Sequence, residues 1–309
     1  MDGNPIRQIA LVGFGEVGGI LGRDFAAAGL NVSIFDILLS NESSRSGMLA
    51  KAKTALVRPC DTLEEAVRGA DLVISAVTAS SAAGAAGSAA PFLRAGQIYL
   101  DLNSVSPDTK REIARRLGES PATFLEAAVM AAVPPQRLRV PILLGGADAA
   151  MAAARLQAIG LNVKPVSERI GVASAIKMCR SIVIKGLEAI AVESMFTARR
   201  YGAEKQVLES LAATFPEMGW DVELPDYLIS RVAEHGKRRA AEMREAAQAV
   251  ADAGLEPFSA LATAQRQDWL VQTIAEHALT VADGEAFSWR ELADAIAKAS
   301  SRARMPNSL

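Results

Sequence analysis

The chain has 309 residues, 50% hydrophobic and 22% charged, with a formal net charge of −2. That length suits two domains of ordinary size, and the apolar content excludes wholesale disorder. The charge balance argues against a basic nucleic-acid footprint, and two cysteines (Cys60, Cys179) with two histidines (His235, His277) exclude a disulfide scaffold and leave no expected metal centre.

The N-terminus, Met1 to Gln8, is short and polar and lacks the basic and apolar regions of a signal peptide. Ala79 to Ala90 is too short and too weakly apolar to span a bilayer. Gly171 to Ala198 is apolar but is interrupted by Lys177, Arg180, Lys185, Glu188 and Glu193. A soluble cytoplasmic protein is expected, with no membrane or nucleic-acid partner and with both cysteines as buried free thiols.

In chain order, six short apolar runs predict strands: Ile9–Val12, Val32–Phe35, Leu72–Val77, Ile98–Leu102, Phe124–Val129 and Val140–Leu144. Runs of this kind, bounded by Gly, Asp or Ser, suit strands covered on both faces. Helical stretches lie between them, one opened by the capping box Thr62-Leu63-Glu64-Glu65. This alternation predicts βαβ units in a parallel sheet. Pro134 and Pro135 mark a loop, and Gly145-Gly146 ends a strand.

After Val166 no strand is expected. Gly171 to Tyr201 predicts a helix of ~45 Å at 1.5 Å per residue, stopped by Gly202. On it, Lys177, Ser181 and Glu188 fall near one polar stripe with Arg180 adjoining, while Val172, Ile176, Cys179, Val183, Leu187 and Ile190 are expected in the core. Further helices are predicted over Glu204–Ala213, Asp226–Ala253, Phe258–Ala282 and Ser288–Ala299, the last opened by the capping box Ser288-Trp289-Arg290-Glu291. The expected division is an α/β domain over 1–166 and an all-α domain over 167–309, with a frayed tail from Ser300.

Gly13-Phe14-Gly15-Glu16-Val17-Gly18 fits G-x-G-x-x-G, directly after one predicted strand and opening a helix that Gly29 ends. Gly13 permits the tight turn, Gly15 lets a pyrophosphate approach the backbone, and Gly18 lets helix and strand pack closely. The helix N-terminus supplies free N–H groups for the phosphates. Asp36, ending the second strand, suits the adenosine ribose hydroxyls and disfavours a 2′-phosphate, so NAD is expected. Arg45, in a predicted Ser-rich loop, keeps NADP open. Val77, ending the third predicted strand, and Thr78 directly after it are further cofactor candidates.

These residues, with several downstream, resemble the β-hydroxyacid dehydrogenases and 6-phosphogluconate dehydrogenases over nearly the whole chain. The resemblance implies an N-terminal Rossmann domain, a long interdomain helix and an all-α C-terminal domain. Tyr99-Leu100-Asp101-Leu102-Asn103-Ser104-Val105-Ser106-Pro107 looks like the family's segment after the fifth strand. By position Asn103 and Ser104 inherit a substrate-binding role, the alternative being helix capping ahead of Pro107. Gly171-Val172-Ala173-Ser174-Ala175-Ile176-Lys177 resembles the entry to the interdomain helix, which makes Lys177 the catalytic lysine. Oxidising an alcohol requires a proton acceptor as hydride leaves carbon, and a lysine can serve.

The chain departs from the family at three places. Ser181, preceded by Arg180, replaces an asparagine one turn after the lysine. Met130-Ala131-Ala132, after Glu126-Ala127-Ala128-Val129, replaces a Ser-Gly-Gly substrate loop, so Met130 makes that pocket more apolar. Ala241-Glu242 replaces a late Lys-Asp pair. His235, Arg238, Arg239 and Glu242 share one helical face, where the arginines could grip a carboxylate and His235 assist proton transfer, or where they form a solvated basic face. The family layout implies substrate in the interdomain cleft and a homodimer. The expected activity is NAD(P)-dependent hydride transfer with a small hydroxy acid or related alcohol. The alternatives are an NADPH-dependent imine or ketone reductase and a non-catalytic nucleotide sensor or scaffold.

Overall fold

In the computed structural model, which describes residues 5–118, 120–282 and 286–303, the alternating runs become eight strands and their connections. The order is β1 (Gln8–Val12), α1 (Glu16–Ala27), β2 (Asn31–Phe35), α2 (Glu42–Thr54), β3 (Arg58–Pro59), α3 (Leu63–Val67), β4 (Leu72–Ser75), α4 (Ala82–Ala89) and β5 (Ile98–Asp101). There follow α5 (Pro107–Arg116), β6 (Thr123–Val129), α6 (Val133–Gln136), β7 (Ile142–Gly145), α7 (Ala149–Ala158) and β8 (Val163–Ser167). The rest is helical: α8 (Val172–Arg200), α9 (Glu204–Thr214), α10 (Leu224–Asp252), α11 (Phe258–Glu276) and α12 (Trp289–Ala303). This is a Rossmann domain followed by a helical region. The chain divides into two compact units, Met1–Lys177 and Met178–Leu309, so the division falls inside α8.

The strands form one sheet in the order β3-β2-β1-β4-β5-β6-β7-β8. Ile9 and Leu11 pack with Phe25, Ile34 and Leu72 on one face, whereas Ala10 and Val12 pack with Val73, Tyr99 and Ile113 on the other. Each fully buried aliphatic side chain contributes about 1.5–3 kcal/mol, so two covered faces explain the unbroken apolar runs. The strand order reverses between β1 and β4, so the loops after these two strands flank a crevice where ligands bind in such sheets.

Several expectations need correction. The sheet is not wholly parallel: β7 runs antiparallel to β6, because their short, proline-containing connection returns without a full crossover helix. β3 and β8 escaped the sequence reading, since β3 has two residues and β8 is interrupted by Lys164 and Pro165. Arg45 lies on α2, not in a loop. The strand expected to reach Val77 ends at Ser75. α11 ends at Glu276 instead of Ala282, where Ala278 takes a φ of +48°. Of the tail expected to fray from Ser300, residues 300–303 continue α12, and the rest lies outside the described residues.

The stripes of α8 are reversed. Val183 and Ile190 are 69% and 64% exposed, and Ile176 and Cys179 are exposed too, although all four were expected in the core. Ser181, Lys185 and Glu188 are buried instead. The physical reason is pairing: Glu188 holds Arg239 of α10 bidentately, and Lys185 Nζ lies 3.0 Å from Glu242 and 3.2 Å from Ser181 Oγ. Paired and hydrogen-bonded charges can be buried where lone ones cannot. Gly236 lets α10 and α11 approach, since a Cβ there would stand 2.6 Å from Val271.

Candidate active site

The glycine loop follows β1. Gly13 has a φ of +94°, and a Cβ on it would lie 2.4 Å from the Ala76 carbonyl oxygen. A Cβ on Gly18 would lie 2.2 Å from the Gly13 oxygen, which locks α1 against the loop. Gly15 differs, because a Cβ there would meet no protein atom within 4 Å. The open space in front of Gly15 and a helix start without a side-chain cap leave room and free backbone donors for a phosphate. Phe14 is fully buried, and Glu16 opens α1, followed by Val17.

Asp36 closes this loop from the end of β2. Its Oδ2 accepts from Phe14 N at 2.7 Å and its Oδ1 from Leu38 N at 2.9 Å. Each oxygen retains acceptor capacity for a ribose hydroxyl. Arg45 is engaged elsewhere, donating to Leu39 O and to Asp61, each at 2.7 Å. The sequence reading missed Lys51. Its Nζ donates to Phe14 O at 2.5 Å and to Gly15 O at 2.6 Å and stands 4.9 Å from the centroid of the Phe14 ring. Burial lowers its pKa, with nearby Asp36 opposing. These groups fit a bound dinucleotide.

Across the switch point, Val77 N donates to Asn103 Oδ1 at 2.7 Å. Asn103 Nδ2 donates to Ser75 Oγ at 2.9 Å and to Asp101 Oδ1. Asn103 thus ties the end of β4 to the end of β5, and the cap of α5 falls to Ser106, whose hydroxyl accepts from Thr109 N. Beneath it Lys110, 1% exposed, donates to Asp101 O at 2.9 Å and to Asp101 Oδ2 at 2.6 Å. This buried pair was also missed, since nothing in a helix sequence distinguishes such a lysine from a solvated one. Thr78 Oγ1 donates to Ser81 Oγ at 2.9 Å.

Lys177, in the second turn of α8, donates from Nζ to Ser104 Oγ at 2.5 Å. The two residues are 73 positions apart in sequence, and the fold brings them together in the same unit as the glycine loop. Met130 follows β6, half-buried, with its N–H on Pro141 O at 2.9 Å. The remaining candidates belong to the helical unit. Arg180 is exposed. Ser181 accepts from Lys185, and Arg238 pairs with Glu242 at 2.6 Å. Arg239 is occupied by Glu188, and His235 Nε2 lies 3.5 Å from Glu234. Burial lowers the pKa of His235, helped by Arg231 and Arg238 and opposed by Glu234.

Comparison with known proteins agrees with this anatomy. Residues 8–166 match the NAD binding domain of 6-phosphogluconate dehydrogenase, and residues 198–270 match a domain of unknown function, DUF1932. A conserved hypothetical protein from Sinorhizobium meliloti 1021 has a similar structure, with 34% identity, a TM-score of 0.81, and coverage of 96% of this chain and 97% of that one. A conserved protein of unknown function, described as structurally similar to 3-hydroxyacid dehydrogenases, shares 30% identity with a TM-score of 0.70, over 85% of this chain and 96% of that one. The NAD-dependent L-serine dehydrogenase of Pseudomonas aeruginosa is 25% identical over 71% of this chain and 73% of its own length. The chain therefore belongs to the family built on the NAD-binding domain of 6-phosphogluconate dehydrogenase, here joined to a DUF1932 domain.

Proposed function

We propose that this protein is an NAD-dependent dehydrogenase of a small 3-hydroxy acid, with Lys177 as its general acid–base. The observation that carries the reading is the 2.5 Å contact between Lys177 Nζ and Ser104 Oγ, in the unit that holds the glycine loop. The named relative that acts on L-serine, itself a 3-hydroxy acid, supports the substrate class. A bound nicotinamide supplies the hydride acceptor. In its neutral form Lys177 takes the hydroxyl proton as the C–H bond releases hydride, which leaves a carbonyl, and its ammonium returns that proton in reduction. Ser104 accepts from Nζ and holds the amine in place. Asn103 fixes the Val77 peptide beside the cofactor site.

NAD is favoured over NADP because Asp36 would repel a 2′-phosphate and Arg45 is bound to Asp61. Within the helical unit, Arg239 already serves Glu188 and Arg238 pairs with Glu242. Two free thiols support a reducing cytoplasm, and the exposed apolar edge of α8 supports a homodimer. Among the described residues no helix is long and apolar enough to cross a membrane.

The test is mass-spectrometric profiling of a cell metabolite extract incubated with the protein and NAD or NADP, oxidised or reduced. With NAD, one hydroxy acid is expected to disappear as a product two mass units lighter accumulates. Folded Lys177→Ala should slow this by roughly 10²–10⁴-fold. Identical profiles for wild type and variant under every cofactor condition overturn the reading.

A further inference from the structure

Glu126 lies on β6, fully buried, and no step above uses it. Its hydrogen bonds converge on one place, the start of α8. Oε1 accepts from Gly171 N at 2.7 Å and from Ala173 N at 3.1 Å. Oε2 accepts from Ser174 N at 3.4 Å and from Ser174 Oγ at 2.8 Å. A carboxylate is well matched there, because the first N–H groups of a helix lack intrahelical partners and carry the positive end of its dipole. The slot is also tailored to the side chain. A Cβ on Gly145, the β7 residue paired with Glu126, would stand 2.4 Å from Oε1. Gly171 has a φ of +98°, which brings its N–H to the carboxylate at the turn into the helix.

Lys177 stands three residues after Ser174, on the same side of α8. Its partner Ser104 follows β5, and β5 pairs with β6 in the register Asp101 to Glu126. One carboxylate therefore sets the height and rotation of the helix that carries Lys177, relative to the strands that carry Ser104. We propose that Glu126 is the positioning residue for Lys177, anchoring the first turn of α8 so that the amine meets Ser104. The proposal rests on the catalytic reading of Lys177, but its test needs neither substrate nor turnover.

The test compares wild type, Glu126→Gln and Ser174→Ala as full-length protein. Glu126→Gln keeps the volume but presents an NH₂ to part of a donor set. Ser174→Ala keeps the carboxylate and removes its 2.8 Å contact. Trace labelling with acetic anhydride across a range of pH, read by mass spectrometry, gives the reactivity of Lys177 relative to exposed Lys164 on β8. In Glu126→Gln, Lys177 should label roughly threefold to tenfold faster, as expected for an amine losing one hydrogen bond, with a shifted titration midpoint. Ser174→Ala should move the same way by less. NADH affinity should stay within about twofold of wild type, since the glycine loop hangs on β1 and α1.

A purely structural cap lowers the melting temperature and leaves the ratio and midpoint of Lys177 labelling unchanged, which overturns the proposal. If Glu126→Gln does not fold, Ser174→Ala decides by the same criterion. A labelling shift together with a silent Lys177→Ala in metabolite profiling retains the ordering by Glu126 and removes the catalytic role of the lysine.

Discussion

Asp36 makes two ties with one side chain. Its oxygens join the end of β2 to Phe14 and Leu38 and keep acceptor capacity to spare. Its place is legible in the sequence, because the motif, the helix and the second strand set the spacing. Lys51 is not legible: its bond to Phe14 spans 37 positions, and only the packing of α2 creates it. Asn103 lies between, since its segment is recognisable but its ties to Ser75, Asp101 and Val77 depend on β4 and β5 being neighbours. His235 yields a prediction at this scale. Its pKa is held below the ordinary 6.5, first by burial and then by Arg231 and Arg238. As pH falls through 6.5 the unfolded chain takes up the proton before the folded one does, so stability is lost from about pH 6.5 downward until the folded pKa is passed. Urea midpoints measured at pH 7.5 and pH 5 should therefore differ less in His235→Gln than in wild type. An equal difference in both proteins would remove His235 as the cause.

Among the elements, α8 shows where pattern reading fails. Its length and its stop at Gly202 follow from composition, and Gly202 takes the φ of +67° that such a stop requires. Which stripe faces inward does not follow, because hydrophobicity assigns Val183 and Ile190 to the core and Lys185 and Glu188 to water. The structure reverses this, because α10 supplies Arg239 and Glu242 as partners that lie more than fifty residues away. A buried pair of this kind is costly to break on one side and cheap to remove whole. Glu188→Leu alone should cost about 3–5 kcal/mol by leaving Arg239 buried without its partner. Adding Arg239→Met should restore most of that loss, a coupling readable in a double-mutant cycle by calorimetry. Additive losses would show that the pair does not act as a unit.

For the whole molecule, βαβ alternation points to a parallel sheet covered on both faces, since each strand buried on both faces must read as an apolar run, whereas the Rossmann assignment comes from the family resemblance. The antiparallel β7 was hidden because a twelve-residue connection containing three prolines resembles a crossover until its geometry is known. The same logic bears on assembly. Ile176, Val183 and Ile190 recur every seven residues along one edge of α8 and are exposed in the single chain. A contiguous exposed aliphatic edge is unfavourable in water, and a second copy offering the same edge about a two-fold axis would cover it. A stable interface needs about 800 Å² per partner, so this stripe would be the centre of a larger patch. Wild-type protein should then sediment at twice the 32.5 kDa of one chain. Val183→Glu with Ile190→Glu should give a folded monomer, because two like charges at the centre of an isologous contact face their own copies without partners. Sedimentation of wild type at the mass of one chain, or a dimer that survives both substitutions, would place the interface elsewhere and leave this edge of α8 to another partner.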